Sequence, residues 1–143
     1  MYKIDIIENN IDSIDNIIKL LSQLSNTENI KISEFKEFIV KKEKDHKIFL
    51  CKEVLSSKIV GIITVFIEKK IIHNMGKVAH IEDLVVDIHE RNKGISKILI
   101  NKCIEYANNN NCYKIILNCK KELIKFYENN NFYKSAYQMR IDL

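Results

Sequence analysis

The sequence predicts a mixed α/β (α+β) fold, in which helices cover a partly antiparallel sheet. Helix-like and strand-like segments follow one another in the order β-α-α-β-β-β-α-β-α-β. Two β-branched runs are separated only by the short polar "SS", which is typical of an antiparallel hairpin. A long apolar run then leads through a basic, glycine-containing turn into an amphipathic segment. These three observations favour one layered domain.

The first half of the chain contains three predicted strands and two predicted helices. "YKIDII" (2–7) alternates loosely and predicts the first strand. Isoleucine and leucine then recur at helical spacing, which predicts a helix that runs to about Leu24. Ser33 is expected to be the N-cap of a second helix. "KIFLCKEVL" and "KIVGIITVFIEKK" are the two strands of the hairpin.

The second half continues the alternation after the turn-like "HNMG". "KVAHIEDLVVDI" predicts a strand, and a helix is expected from about Gly94 to Asn108. "CYKIILNC", "KELIKFYENN" and "FYKSAYQMRIDL" predict a strand, a short helix and a last strand. The chain has three glycines and no proline, whereas asparagine is abundant. We therefore expect asparagine at turn positions where glycine is usual, because it tolerates positive φ.

Composition limits the classes of function. The 143 residues, 46% of them hydrophobic, fit one domain over residues 1–143. No apolar run reaches membrane-spanning length and the start lacks the pattern of a signal peptide, so we expect a cytoplasmic protein. The four cysteines form no CxxC pair, so we expect reduced thiols and no metal site. The dispersed net charge of +4 fits a small anionic ligand at least as well as nucleic acid, which we do not expect as a partner.

The turn between the fourth strand and the third long helix is a candidate phosphate site. Unpaired N–H groups and the helix dipole make a helix N-terminus attractive to phosphate. Gly94 would let the backbone approach the ligand, and Arg91, Lys93 and Lys97 would supply positive charge. The turn is not a P-loop, because GxxxxGK[ST] is absent. Taken alone, such a basic turn is a weak signal.

Placed in order, "RNKGIS" (91–96) resembles the Q/R-x-x-G-x-G/A signature of the GNAT superfamily of N-acetyltransferases. "FYENNNF" resembles a second family motif, FYxxxGF, with Asn131 where glycine is usual. Asparagine is the next best residue for a left-handed helix C-cap. The resemblance implies the GNAT fold, in which helices cover both faces of a mixed, mostly antiparallel central sheet. It also implies acetyl-CoA as the co-substrate, with its pyrophosphate held at the turn.

"HIEDLVV", "CYKIILNC", "FIEKKIIHNMGK" and the early "LSQLS" resemble one branch of this family, the eukaryotic glucosamine 6-phosphate N-acetyltransferases. The likeness covers nearly the whole chain. It implies transfer of acetyl from acetyl-CoA to the 2-amino group of D-glucosamine 6-phosphate by direct attack in a ternary complex, a step toward UDP-N-acetylglucosamine. It also implies a homodimer whose last strand and "CYKI" strand build a shared site.

The resemblance assigns roles to particular residues. Tyr127 is the implied general acid for the leaving thiolate, and Glu82 and Asp83 are implied to hold the sugar and its amine. Strict alternation would point these two acids to opposite faces, so we expect a bulge or splay there. The implied contacts to acetyl-CoA are Leu84, Val85, Val86, Arg91, Asn92, Lys93, Gly94, Ile95, Ser96, Lys97 and Tyr127. The further implied contacts to the phosphosugar are Ser25, Lys70, Tyr113, Lys114, Asn118 and Arg140.

Three departures from the family pattern bear on function. Asn118 stands where relatives carry a carboxylate near the amine, Leu123 replaces an Asn that contacts the coenzyme, and Asn92 replaces a common Gly. Two alternatives therefore stay open: acetylation of another amine, such as a peptide N-terminus or polyamine, and non-catalytic binding of acyl-CoA. His73 and His80 sit where a strand or turn histidine needs no chemical role.

Overall fold

The computed structural model describes residues 1–143 and contains one five-stranded sheet in the order β1-β2-β3-β4-β5. The strands are β1 (Tyr2–Ile6), β2 (His46–Glu53), β3 (Ile59–Lys69), β4 (Lys77–Val86) and β5 (Cys112–Ile116). Strands β1 to β4 are antiparallel to their neighbours, and β5 runs parallel to β4. The predicted mixed, mostly antiparallel sheet is confirmed.

Helices connect the strands at the predicted places. They are α1 (Ile14–Leu21), α2 (Ile32–Lys41), α3 (Ile72–Met75), α4 (Ile95–Asn109) and α5 (Ile124–Glu128). Short 3₁₀ segments occupy Ile7–Ser13, Ile88–Glu90 and Lys121–Leu123. The segment α3 is a turn rather than a normal helix, because His73 and Asn74 have φ of 54° and 56°. It is the turn predicted from "HNMG". None of the helices is both long and apolar enough to cross a membrane.

Two hydrophobic cores lie on opposite faces of the sheet. On one face, α4 buries Leu99, Ile100 and Cys103 against β2, β3 and β4. On the other face, α1 and α2 cover a second core that includes Ile17 and Leu50. Helix α4 can approach β3 closely because Gly61 has no side chain: a Cβ there would lie 2.9 Å from Cδ1 of Leu99. The prediction of helices on both faces is confirmed.

Asparagine takes left-handed turn positions, as its abundance predicted. Eight non-glycine residues have positive φ, and four of them are Asn74, Asn92, Asn111 and Asn131. Asn131, with φ of 68°, allows the Phe132 N–H to donate to the Tyr127 carbonyl at 3.1 Å. The replacement of glycine in the "FYENNNF" motif therefore preserves a tight turn after α5.

Two boundary predictions at the helices are wrong. Ser33 does not cap α2, because the helix already begins at Ile32 and its N-cap is Lys31, without a side-chain hydrogen bond. The first helix ends at Leu21 rather than near Leu24, and its early turns are 3₁₀. In the sequence, a serine in the first turn of α2 looks like an N-cap serine, and the polar loop after α1 looks like the polar end of a helix. The sequence therefore determines these two helix boundaries only weakly.

The predicted last strand is also wrong for the single chain. Residues 133–143 form no helix or strand, and Tyr137 and Ile141 are 97% and 84% exposed. A strand needs a neighbour to satisfy its N–H and C=O groups. The only interstrand partner of β5 within the chain is β4, and no backbone hydrogen bond joins the C-terminal segment to the sheet. Alternation alone could not reveal this lack of a partner.

Candidate active site

Strand β4 separates from β5 halfway along its length. The last paired residues are His80 and Ile116, whereas β4 continues to Val86 along β3. The backbone of residues 81–86 therefore has one edge without a strand partner. A free strand edge presents N–H and C=O groups to a ligand. The residues predicted to lend backbone to acetyl-CoA, Leu84, Val85 and Val86, all lie on this edge.

A β-bulge lies at the centre of the free edge, as the sequence predicted. Ile62 pairs with Val85 and Thr64 with Glu82, so Asp83 and Leu84 together face one residue of β3. Asp83 has φ of 53°, a left-handed conformation that suits the first position of a bulge. Because of the extra residue, both Glu82 and Asp83 are exposed. Strict alternation would have buried one of these neighbouring carboxylates.

The turn after β4 borders a cavity of about 430 Å³. Gly94 is the N-cap of α4 with φ of 79°, and a Cβ placed on it would meet no atom within 4 Å. The open space in front of a helix N-terminus of this length suits an anionic group. The lining residues are Val86, Glu90, Arg91, Asn92, Gly94, Ile95, Ser96, Lys97, Phe126, Asn129 and Asn130.

Two of the predicted cradle cations already have partners. The Arg91 Nε donates to the Val86 carbonyl at 3.2 Å, which ties the turn to the end of β4. Lys93 does not line the cavity, and its Nζ donates to Glu90 Oε2 at 2.8 Å. The same carboxylate oxygen accepts from the hydroxyl of Tyr2 at 3.0 Å. Glu90 thus connects the turn to β1, and its pKa is lowered first by Lys93 and then by Tyr2.

Sequence reasoning missed Glu90, Phe126, Asn129 and Asn130 as cavity residues. Glu90 could have been found from its spacing, because an acid three residues before Lys93 is placed to pair with it. The two asparagines follow the aromatic pair of "FYENNNF" directly. The Asn130 side chain donates to the Phe126 carbonyl at 2.8 Å, which closes the end of α5 beside the cavity.

Tyr127 is held in an aromatic cluster behind the free edge of β4. Its ring meets Phe126 edge to face at 4.9 Å and Phe132 at 5.8 Å between centroids. Burial raises the pKa of the Tyr127 hydroxyl, and Cys119 and Glu82 add smaller effects in the same direction. The hydroxyl therefore keeps its proton at neutral pH and can serve as a donor.

Three predicted sugar ligands come together at the turn between β3 and β4. The Lys70 N–H donates to the Gly76 carbonyl at 2.8 Å, which closes the turn. Tyr113 packs on the same turn, with its ring 4.5 Å from that of His73. The Lys114 Nζ lies 5.5 Å from the centre of the Tyr113 ring. This corner therefore gathers two cations and a phenol.

Other predicted residues are placed less directly. Ser25 is exposed in the loop after α1, where Gln23 accepts a hydrogen bond from the Ile88 N–H at 2.9 Å and so ties this loop to the end of β4. Asn118 is exposed just beyond β5, and Leu123 is 43% exposed. Arg140 lies in the C-terminal segment and pairs only with Asp142, so the single chain does not bring it to the two lysines.

The cysteines are all free, in agreement with the expectation of reduced thiols. Cys51 and Cys103 are buried in the core beside α4, and burial raises their pKa values to about 11 and about 12. Cys119 differs because it is exposed. The two buried thiols therefore act as small apolar residues.

The free edge of β4, the bulge and the open helix N-terminus together suit an acyl-CoA-dependent acetyltransferase, and comparison with known proteins agrees on that class of protein. The model of the acetyltransferase (GNAT) family matches residues 16–132. The chain therefore belongs to the acetyltransferase (GNAT) family, whose members use acetyl-CoA as co-substrate.

Several of the similar proteins are glucosamine 6-phosphate N-acetyltransferases. Glucosamine 6-phosphate N-acetyltransferase of Arabidopsis thaliana is 38% identical over 85% of this chain and 84% of that protein. Glucosamine 6-phosphate N-acetyltransferase 1 of Oryza sativa subsp. japonica is 33% identical over 66% of this chain and 58% of that protein. The crystal structure of the Arabidopsis thaliana enzyme superposes with a TM-score of 0.89 and 34% identity, over 99% of this chain and 98% of that one.

Proposed function

We propose that residues 1–143 form one catalytic domain that transfers acetyl from acetyl-CoA to the 2-amino group of D-glucosamine 6-phosphate. The observation that carries this proposal is that one structure combines a free edge of β4, which suits acetyl-CoA, with the corner formed by Lys70, Tyr113 and Lys114, which we call the lysine corner. Lys70 and Lys114 offer positive charge for a phosphate at one end of β4, and the exposed Glu82 and Asp83 lie further along it. The similarity to named glucosamine 6-phosphate N-acetyltransferases supports the same substrate.

In this proposal acetyl-CoA lies along the free edge of β4. The pantetheine arm would bond backbone groups of Leu84, Val85 and Val86, and the pyrophosphate would bind at the turn of residues 91–97. The left-handed Gly94 and Asn92 support this placement, because positive φ turns successive N–H groups toward one point. Arg91 and Lys97 line the same cavity.

Catalysis would rest on positioning and on proton transfer rather than on an acyl-enzyme. No nucleophile here has a paired base beside it: two of the cysteines are buried with raised pKa values. The amine would attack the thioester carbonyl directly, while Glu82 and Asp83 orient the sugar. Tyr127 would protonate the departing sulfur, for which its raised pKa keeps it ready.

We further propose a homodimer with a shared site, in which the C-terminal segment of one chain contributes to its partner. The apolar residues of this segment, such as Tyr137 and Ile141, support the idea, since the single chain leaves them almost fully exposed. Arg140 would then reach a phosphate in the partner's site. Sedimentation as a monomer at assay concentration would contradict this arrangement. The product would feed UDP-N-acetylglucosamine synthesis in the cytoplasm, the expected location.

A thiol-release assay tests the function. The chain is mixed with acetyl-CoA and with glucosamine 6-phosphate, glucosamine or a panel of peptides and polyamines, and free coenzyme A is measured. We expect rapid release with the phosphosugar and much slower release with glucosamine, because only the former engages the lysine corner. Lys70→Ala should raise KM for the phosphosugar and leave KM for acetyl-CoA unchanged. Release with peptides but not with the phosphosugar would refute the proposed substrate.

A further inference from the structure

His80 is fixed in place at the point where β4 leaves β5. It is the last residue of β4 paired with β5, opposite Ile116. Its ring stacks on Phe66, with 4.6 Å between centroids and 10° between planes. Its Nε2 lies 2.7 Å from Oε2 of Glu68, and the side chain is 22% exposed. A stack and a hydrogen bond thus hold the imidazole from two directions.

Glu68 also determines which nitrogen of His80 is free. Its other oxygen, Oε1, accepts from Lys70 at 2.5 Å, and Lys70 and His80 together hold the pKa of Glu68 below its usual value. Glu68 is therefore a carboxylate, which can only accept hydrogen bonds. A neutral His80 must then carry its proton on Nε2, which leaves the lone pair on Nδ1. No hydrogen bond within the chain engages Nδ1.

The His80 ring lies on the same face of β4 as Glu82, one of the two acids proposed to hold the amine. Residues two apart on a strand share one face and are separated by about 7 Å. His80 and Glu82 are such a pair, and both precede the bulge at Asp83. An amine held by Glu82 therefore lies on the same face of β4 as the His80 ring, at a separation that one bridging water can span, whereas the amide of Asn118 has no basic group to offer.

We propose that His80, oriented by Glu68, is the proton acceptor for the substrate ammonium, an inference that rests on the proposed function. One proton passes from the ammonium to Nδ1, through water, and then to solvent. The neutral nitrogen attacks the acetyl carbon, and a C–N bond forms. As the C–S bond breaks, Tyr127 gives its proton to sulfur and regains one from the nitrogen. The amide keeps the third hydrogen, so the products are amide, thiol and one released proton.

Several titratable groups surround His80 and will shape any pH profile. Glu68 lies on β3, Lys70 follows directly after that strand, and Glu82 lies on β4 itself. His46 on β2 pairs with Phe66, which in turn pairs with His80. Lys114 on β5 pairs with Val78, two residues before His80. The test therefore compares the pH dependence of kcat between variants and the wild type, rather than interpreting the pH profile of one protein alone.

The test measures kcat and KM of the full chain between about pH 6.5 and about pH 9, with glucosamine 6-phosphate and acetyl-CoA. His80→Gln should lower kcat about 100-fold at the acid end, within the usual contribution of a general base. The deficit should shrink as pH rises, because more of the amine is then already neutral. Glu68→Gln should lower kcat less, and the double variant should be no worse than His80→Gln. KM for acetyl-CoA should not change.

His89→Gln is the matched control, since His89 is exposed on the 3₁₀ segment after β4 and should leave kcat unchanged. Thermal denaturation of each variant checks the fold, and Glu68→Gln keeps the test valid if His80→Gln does not fold. Wild-type kcat in His80→Gln, or a loss of equal size at every pH, would overturn the inference. Absence of turnover by the wild type would instead overturn the proposed function, and this inference with it.

Discussion

Replacing Gly94 with alanine should weaken acetyl-CoA binding much more than it weakens the fold. Gly94 has φ of 79°, and a Cβ built on it meets no atom within 4 Å. The fold therefore loses only the cost of a left-handed alanine, about 1 kcal/mol. For a domain of this size that corresponds to a fall in Tm of about 4 °C.

Binding should suffer more because the new methyl group enters the open space in front of α4. Phosphate could then no longer approach the N–H groups of the turn closely. Loss of one hydrogen bond to a charged group costs about 2 kcal/mol, which is about 30-fold in Kd. Isothermal titration with acetyl-CoA measures the affinity, and thermal denaturation without ligand measures the stability.

Asn111→Ala is the control for backbone strain. Asn111 has φ of 57° and is exposed at the end of α4, outside the residues that line the cavity. It should lose stability much as Gly94→Ala does and bind acetyl-CoA like the wild type. Wild-type affinity in Gly94→Ala, with the expected loss of stability, would refute the assignment of the turn as the phosphate site.

Three further predictions test the acid, the core and an ion pair. Tyr127→Phe keeps the aromatic cluster but loses the donor, so kcat should fall about 100-fold while acetyl-CoA affinity stays constant in titration. Leu99→Ala removes a side chain that is 0% exposed against Gly61, and urea denaturation should show a loss of about 3 kcal/mol. The pKa of Asp87 is lowered, first by Lys58 at 2.8 Å, so the stability this carboxylate contributes is present at neutral pH and lost as pH falls through its lowered folded-state pKa. Asp87→Asn should therefore be less stable than the wild type near pH 7. In thermal denaturation at acid pH, the difference in stability should vanish.

The hairpin and the helices could be predicted because their signals are local. Apolar spacing determines which side of α1 is buried, and the "SS" between two β-branched runs fixes the β2–β3 connection. The last strand could not be predicted in the same way. "FYKSAYQMRIDL" alternates well enough for a strand, yet strand formation depends on a neighbour that no local pattern describes.

The candidate site likewise contains one part that local sequence determines and one part that it does not. The phosphate turn is contiguous in sequence, so Arg91 to Lys97 could be recognised from a short motif. The pairing of Glu68 with His80 depends instead on the β3–β4 register, which places Phe66 opposite His80. A single sequence does not specify that register, so the sequence alone indicates no chemical role for His80. The contact with the Glu68 carboxylate, seen only in the structure, indicates one.

The bulge at Asp83 couples this site to the core. Before the bulge, Ala79 and Ile81 face the core beneath α4. After it, Leu84 and Val86 face that same core, whereas Val85 faces the core beneath α1 and α2. One inserted residue has thus changed the parity of the strand, and a shift by one residue moves every following side chain to the opposite face. If Asp83 were kept but the bulge were straightened into regular strand, Leu84 and Val86 would exchange cores with Val85. The core packing at the end of β4 therefore maintains the bulge, and the bulge keeps both carboxylates exposed beside the free edge.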